Sequence, residues 1–187
     1  YDLFPALLTA LALLCVVRQR PGWAGIWLGL GVAAKLYPAV LLLVFGAYYL
    51  AGKNRPALLR LALGSAGALA AALLPFVLIA PSPLLSFLRY HELRGLQLES
   101  LPAGMIVLAH VLGITPARLE FNYGALHVAS PLAGAVLSWL PIAFVVLFGV
   151  VLFSGMARFR EEQAADGCVA RESLVAYSVA ALLAFII

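Results

Sequence analysis

The chain has 187 residues, 65% hydrophobic and 11% charged, with a mean hydropathy of +1.06 and a formal net charge of +4. A soluble domain carries roughly 25% charged residues to solvate its surface, so this composition excludes a soluble globule and predicts an all-α, polytopic transmembrane helix bundle. The positive charge comes without a basic stripe or aromatic platform, which argues against nucleic acid as a partner.

The charges fall in clusters between long apolar runs, the pattern of helices crossing lipid with polar connections. Read as one transmembrane domain, the expected membrane segments are 3–17, 22–34, 36–51, 57–80, 100–113, 132–156 and 173–187. Arg18, Gln19 and Arg20 follow the first; Lys53, Asn54 and Arg55 follow the third. Residues 57–80 are the cleanest full span, with Arg60 as their one charge. Residues 84–93 mix aromatic, apolar and basic side chains and predict a helix lying in the interface. Residues 100–113 reach only about 21 Å as a helix against a hydrocarbon core near ~30 Å, so they are expected to be short, broken or re-entrant. Residues 114–131 read as a polar loop with aromatics, and 158–171 as a polar connection. Tyr1 is not an initiator methionine and no charged leader precedes the first run. The last run stops short of the ~20 residues of a crossing. Both flanks are therefore expected to continue. Cys15 and Cys168 have no metal-ligand spacing and support no disulfide framework; Cys15 is expected to be buried.

The excess of Lys and Arg orients the chain, placing residues 18–20, 53–55 and 158–171 on the cytoplasmic side. Parity then admits two arrangements. In the preferred one, 22–51 is a hairpin with Leu36-Tyr37-Pro38 at its tip, and 81–131 lies outside. In the rival, 22–51 is one long kinked helix and residues 53–60 lie outside. Short broken helices are tolerated in a membrane only where they are buried in protein or line a wet cavity. Gly25 and Gly29, extended by Gly31, form a small-xxx-small series that predicts close helix packing.

Lys35 is the most exceptional residue, sitting in an otherwise apolar stretch of about thirty residues. A lysine at the bilayer centre costs about 2.5–3.5 kcal/mol, so such charges usually face a cavity or a partner; snorkelling from a helix end is the plainer account. As a point charge at an outer cavity it suits a phosphate. A second constellation runs from Arg89, Tyr90, His91, Glu92 and Arg94 to Gln97, Glu99 and Ser100. If helical, His91 and Arg94 share a face, and guanidinium forks match phosphate oxygens. A third stretch, Glu120 to His127, holds aromatics that stack on sugars and Asn122, which bonds hydroxyls; a turn with interfacial aromatics also explains it. His110 reads as a hydrogen-bonded packing residue, and Glu161, Glu162 and Asp166 as a solvated loop. No Walker, Rossmann, HExxH or CxxC signature occurs.

Taken in order, Tyr1-Asp2-Leu3-Phe4-Pro5, Gly25 to Gly29 leading into Ala34-Lys35-Leu36-Tyr37-Pro38, Tyr90-His91 through Arg94, Gln97, Glu99 and Ser100, and Phe121-Asn122-Tyr123-Gly124 give a chain that resembles the GT-C membrane glycosyltransferases. Within them it is similar to glycosyltransferase family 87, bacterial enzymes related to polyprenyl-phosphate-mannose-dependent mannosyltransferases. The Lys-x-Tyr-Pro and Tyr-His-x-x-Arg elements are also similar to the first mannosyltransferase of the eukaryotic glycolipid-anchor pathway. The resemblance implies inverting transfer of a hexose or pentose, mannose first, from a polyprenyl-phosphate donor to a glycolipid or glycan acceptor. It places this at the outer face of a bacterial plasma membrane, with a multi-pass chain; no cofactor is expected, no residue is assigned to a metal, and metal dependence is left open. It also implies an Asp or Glu base in a first outer loop, expected upstream of Tyr1; Asp2 stands elsewhere and is not that base, so these residues alone are expected to be inactive. Lys35, Tyr37, Arg89, Tyr90, His91, Arg94, Gln97, Glu99 and Ser100 are assigned to donor phosphate and sugar, and Asn122 and Tyr123 to the acceptor. A transporter or flippase for a polyprenyl-linked lipid is the alternative; the absence of a visible internal repeat weighs against it.

Overall fold

The structure, a computed structural model, describes residues 3–79, 95–122 and 124–186. The expected interfacial helix at 84–93, and Arg89, Tyr90, His91, Arg94 and Tyr123, lie outside the described residues. The elements are α1 (Leu3–Val17), α2 (Pro21–Ala34), α3 (Ala39–Ala51), α4 (Arg55–Ile79), α5 (Leu101–Val111), β1 (Arg118–Asn122), β2 (Ala125–Ala129), α6 (Pro131–Asp166) and α7 (Arg171–Ile186). By length and composition α4 and α6 are long and apolar enough to cross a membrane, while α1, α3 and α5 are apolar but shorter. The chain divides into two compact units. The first holds α1, α2, α3, α4 to Pro75, and the chain from Phe148 to Phe185; the second runs from Phe76 to Leu147.

Local chemistry sets the helix limits of the first unit. Pro21 opens α2 at a position where its missing N–H is no loss. The helix ends at Lys35, whose φ of −156° and ψ of 148° are extended. Pro38 cannot continue the ladder and biases Tyr37 away from helix. The turn closes with Ala39 N–H donating to the Leu36 carbonyl at 3.0 Å. After α3 the chain turns through Lys53, held at φ 53°. Asn54 Oδ1 then accepts from Ala57 N–H at 3.1 Å and caps α4.

Glycines decide how these helices pack. A Cβ on Gly25 would strike the Leu61 carbonyl and the Ser65 nitrogen, and one on Gly29 the Ser65 carbonyl and Ala68. Gly64 in turn lies against the Gly22 carbonyl. Residues advance together along this contact, so α2 and α4 run parallel. Gly46 faces Leu58 just across the short turn between α3 and α4, so those two run antiparallel. It follows that α2 and α3 form an antiparallel hairpin with its tip at Lys35 to Pro38, and the single kinked helix is set aside. Gln19 Nε2 donates to Tyr48 Oη at 3.0 Å, tying the turn after α1 to the end of α3. In these apolar helices the hydroxyls of Thr9, Ser65 and Ser178 donate to carbonyls one turn back, at 2.7–2.9 Å, so none is buried unpaired. Cys15 is half-buried rather than buried.

The helix α6 continues past the apolar run to Asp166, where the sequence suggested a loop. Its 36 residues span about 54 Å at 1.5 Å per residue. The reason is Glu162, only 6% exposed. Its carboxylate accepts from Arg158 Nε one turn back at 2.8 Å, from Ala170 N–H at 2.9 Å, and from the Ser173 hydroxyl. The last two come from the start of α7, where a negative charge also complements the helix dipole. Burial pushes this carboxyl up, but the Ser173 and Ala170 bonds and the Arg158 charge together outweigh it and hold it below its ordinary 4.5. A lowered folded value means the stabilisation is complete above pH 4.5 and is lost as pH falls through the folded value. Glu162→Gln is expected to cost about 2 kcal/mol at neutral pH. In thermal melts the difference from the native protein should vanish in acid; a constant offset would contradict it.

In the second unit, the segment 114–131 is not simply a loop. It holds the antiparallel pair β1 and β2, with Glu120 opposite His127 and Phe121 opposite Leu126. Residues 96–98 add a third edge: Leu98 N–H donates to the Leu126 carbonyl at 2.9 Å and Val128 N–H to the Leu96 carbonyl at 2.8 Å, setting Gln97 opposite His127. Alternation then sorts the side chains. Leu96, Leu98, Leu119, Phe121, Leu126 and Val128 share one face, on which Leu96 and Val128 pack against Ala103 and Ile106 of α5 and Ala133 of α6. Gln97, Arg118, Glu120, Asn122 and His127 share the other. Ser100 caps α5 by accepting from Ala103 N–H at 3.3 Å, and donates to the Gln97 carbonyl at 2.8 Å.

Candidate functional site

The polar face of the small sheet is the densest collection of reactive groups among the described residues. Gln97, His127 and Glu120 form a cross-strand row on adjacent edges. The bonds on either side of Gln97 and His127 make them a non-hydrogen-bonded pair, the kind in which side chains approach most closely. His127 is 6% exposed, and its Nε2 lies 2.8 Å from the Asn122 carbonyl. A carbonyl only accepts, so Nε2 carries a proton, and in the tautomer with that proton alone Nδ1 is an acceptor. That Nδ1 is buried and has no partner among the described residues. It lies against Gly95, where a side chain would stand 3.7 Å from it. The row therefore offers a carboxamide, an imidazole acceptor and a carboxylate, groups that bond sugar hydroxyls.

The assigned residues fall in different places. Gln97 and Asn122 lie on the polar face; Glu99 is exposed in the turn after the 96–98 edge. The Ser100 hydroxyl is engaged in capping and in holding Gln97. Lys35 and Tyr37 belong to the first unit, at the tip of its hairpin. Lys35 is exposed, and the Tyr37 ring lies 6.2 Å from that of Phe185 near the end of α7. That end is opposite the start of α7, where Glu162 gathers Ala170 and Ser173. The tip is thus separated from the basic turns, which Gln19 and Tyr48 draw to the other end. Glu120 and His127 are the additions to the site. Their signal was the strict alternation of Arg118-Leu119-Glu120-Phe121-Asn122, the period of a strand, although β1 is exposed along its whole length. His110, exposed, turns its Nδ1 to the loop after α5, 3.1 Å from the Thr115 carbonyl oxygen and 3.2 Å from the Ala117 nitrogen, and bonds one or the other according to its tautomer. No cluster of three or more His, Cys, Asp or Glu able to hold a metal stands among the described residues.

The described residues thus form a mainly helical protein, two of whose helices are long and apolar enough to cross a membrane, with a small sheet that turns polar groups to one face. The model of glycosyltransferase family 87 matches residues 1–186. The chain belongs to that family and is a glycosyltransferase. No curated protein and no solved structure matches it.

Proposed function

We propose that the protein is a multi-pass enzyme of the plasma membrane that takes a sugar, mannose or another hexose or pentose, from a polyprenyl-phosphate donor. It passes the sugar to a glycolipid or glycan acceptor at the outer face, with inversion. The observation that carries this reading is Lys35 at the tip of an apolar helical hairpin, at the end away from the basic turns. If those turns are cytoplasmic, the tip meets the outer leaflet, where a donor phosphate would lie.

In the reaction the bond from the sugar's anomeric carbon to the phosphate oxygen breaks, and an acceptor oxygen bonds that carbon from the opposite side. A carboxylate takes the acceptor's proton, and polyprenyl phosphate leaves with added negative charge. Fixed cations stabilise that charge most in the transition state. Lys35, Arg89 and Arg94 supply them, with His91, Tyr37 and Tyr90 completing the phosphate contacts. Gln97 and Glu99 orient the sugar, with Ser100 holding Gln97 in place. Asn122 and Tyr123 receive the acceptor, and Glu120 and His127, on the same face of the sheet as Asn122, assist.

The test is transfer in membranes containing the protein, supplied with a polyprenyl-phosphate sugar or with a nucleotide sugar. Transfer is expected from the lipid donor alone. His91→Ala and Arg94→Ala should each lower it by about 100-fold. Transfer from the nucleotide sugar with none from the lipid would overturn the donor assignment.

A further inference from the structure

The end of the first unit that carries the basic turns holds a groove that the transfer reaction does not use. It has a volume of 510 Å³ and is walled by Leu43, Gly46, Leu50, Leu58, Phe153 and Met156, within the ~300–1,000 Å³ range of ligand pockets. It is lined almost wholly by carbon, with Arg160 its one charged residue. A second hollow of 420 Å³ shares Leu50 and Arg160 with it and adds Lys53 and Gln163. An apolar channel along the helices therefore opens onto two cations and a carboxamide.

Among the described residues the two cations are uncommitted. Arg158 is paired with Glu161 and Glu162, but the side chains of Lys53 and Arg160 make no hydrogen bond or ion pair among the described residues. Lys53 also holds a left-handed backbone, φ 53°, at a helix end where glycine is the residue of least strain. A lysine kept there at a conformational cost, beside an unpaired arginine, leaves two positive charges at the mouth of an oily channel.

We infer that this double hollow binds an anionic phospholipid of the cytoplasmic leaflet, with its phosphate on Lys53 and Arg160 and an acyl chain along the Gly46–Phe153 channel. The assignment of the leaflet rests on the orientation proposed above. Charge complementarity selects the occupant: basic pockets between helices on that side take anionic head groups. The site stands at the end of the first unit away from Lys35, so its ligand is a bilayer lipid and not the sugar donor.

The experiment is native mass spectrometry of the full chain offered phosphatidylglycerol or phosphatidylcholine with the same acyl chains. Phosphatidylglycerol should be retained preferentially. At about one cation's worth of attraction each, Lys53→Gly and Arg160→Gln should reduce its retention by about 5-fold singly and about 30-fold together. Retention of phosphatidylcholine should not change. Lys53→Gly relieves backbone strain, so a loss there reports the charge and not unfolding. Gly46→Leu, which meets nothing nearer than Leu58 at 3.8 Å, fills the channel and should lower retention of both lipids. Equal retention of the two lipids by the native chain, or undiminished phosphatidylglycerol on the double variant, overturns the inference. Lys35→Met separates the two readings: it should lower transfer by about 100-fold or more and leave phosphatidylglycerol in place.

Discussion

Lys35→Met is expected to lower sugar transfer by about 100-fold or more, the loss typical when a fixed charge facing a developing anion is removed. Methionine keeps a long flexible chain and suits the apolar hairpin, so the protein should accumulate normally. In the proposed mechanism the lysine acts most strongly when the phosphate gains charge in the transition state, so kcat should fall more than KM rises. Lys35→Arg keeps the charge but changes its shape and donor geometry, and should recover part of the rate. Unchanged transfer by Lys35→Met at equal protein level would remove the hairpin tip from the donor site.

Gly25→Leu should prevent the first unit from assembling. The new side chain would occupy the space of the Leu61 carbonyl and the Ser65 nitrogen, both backbone atoms in the middle of α4. Overpacking of a tight contact costs about 1–3 kcal/mol when neighbours can yield, and more when they cannot. Helix backbone cannot yield. Gly67→Leu, on the same α4 but with nothing within 4 Å, is the comparison and should be tolerated. Size-exclusion profiles of detergent extracts distinguish the two: a single peak for Gly67→Leu, and aggregated or absent protein for Gly25→Leu. Equal profiles would refute the packing described for α2 and α4.

The helices were legible because hydropathy is written locally, residue by residue, and a charge such as Lys35 breaks an apolar run visibly. Pro38 marked the break after α2 for the same reason: its covalent ring acts on its nearest neighbours. The direction of the chain after that break was not decided locally. It took Gly25 and Gly29 meeting α4 to make 22–51 a hairpin. The continuation of α6 to Asp166 was hidden because polar helix and polar loop have similar composition. Arg158 and Glu162, four residues apart, were its only trace, and the bond from Glu162 to Ala170 joins residues on two different helices. The sheet was obscured by its shortness, since five-residue strands rich in Leu, Phe and His look like an interfacial turn. His127 therefore stood in the sequence as one polar residue among aromatics, and its alignment with Gln97 and Glu120 appears only when three separate stretches pair.

The alternation of that sheet has a further effect. On the 96–98 edge and β2, side chains that pack against α5 alternate one by one with polar ones. Lengthening or shortening the connection between β1 and β2 by a single residue would invert one strand against the other, which for β2 turns His127 toward α5 and Val128 away from it. Anchoring and chemistry are thus geared to the same count of residues. This stretch can change its letters far more freely than its length.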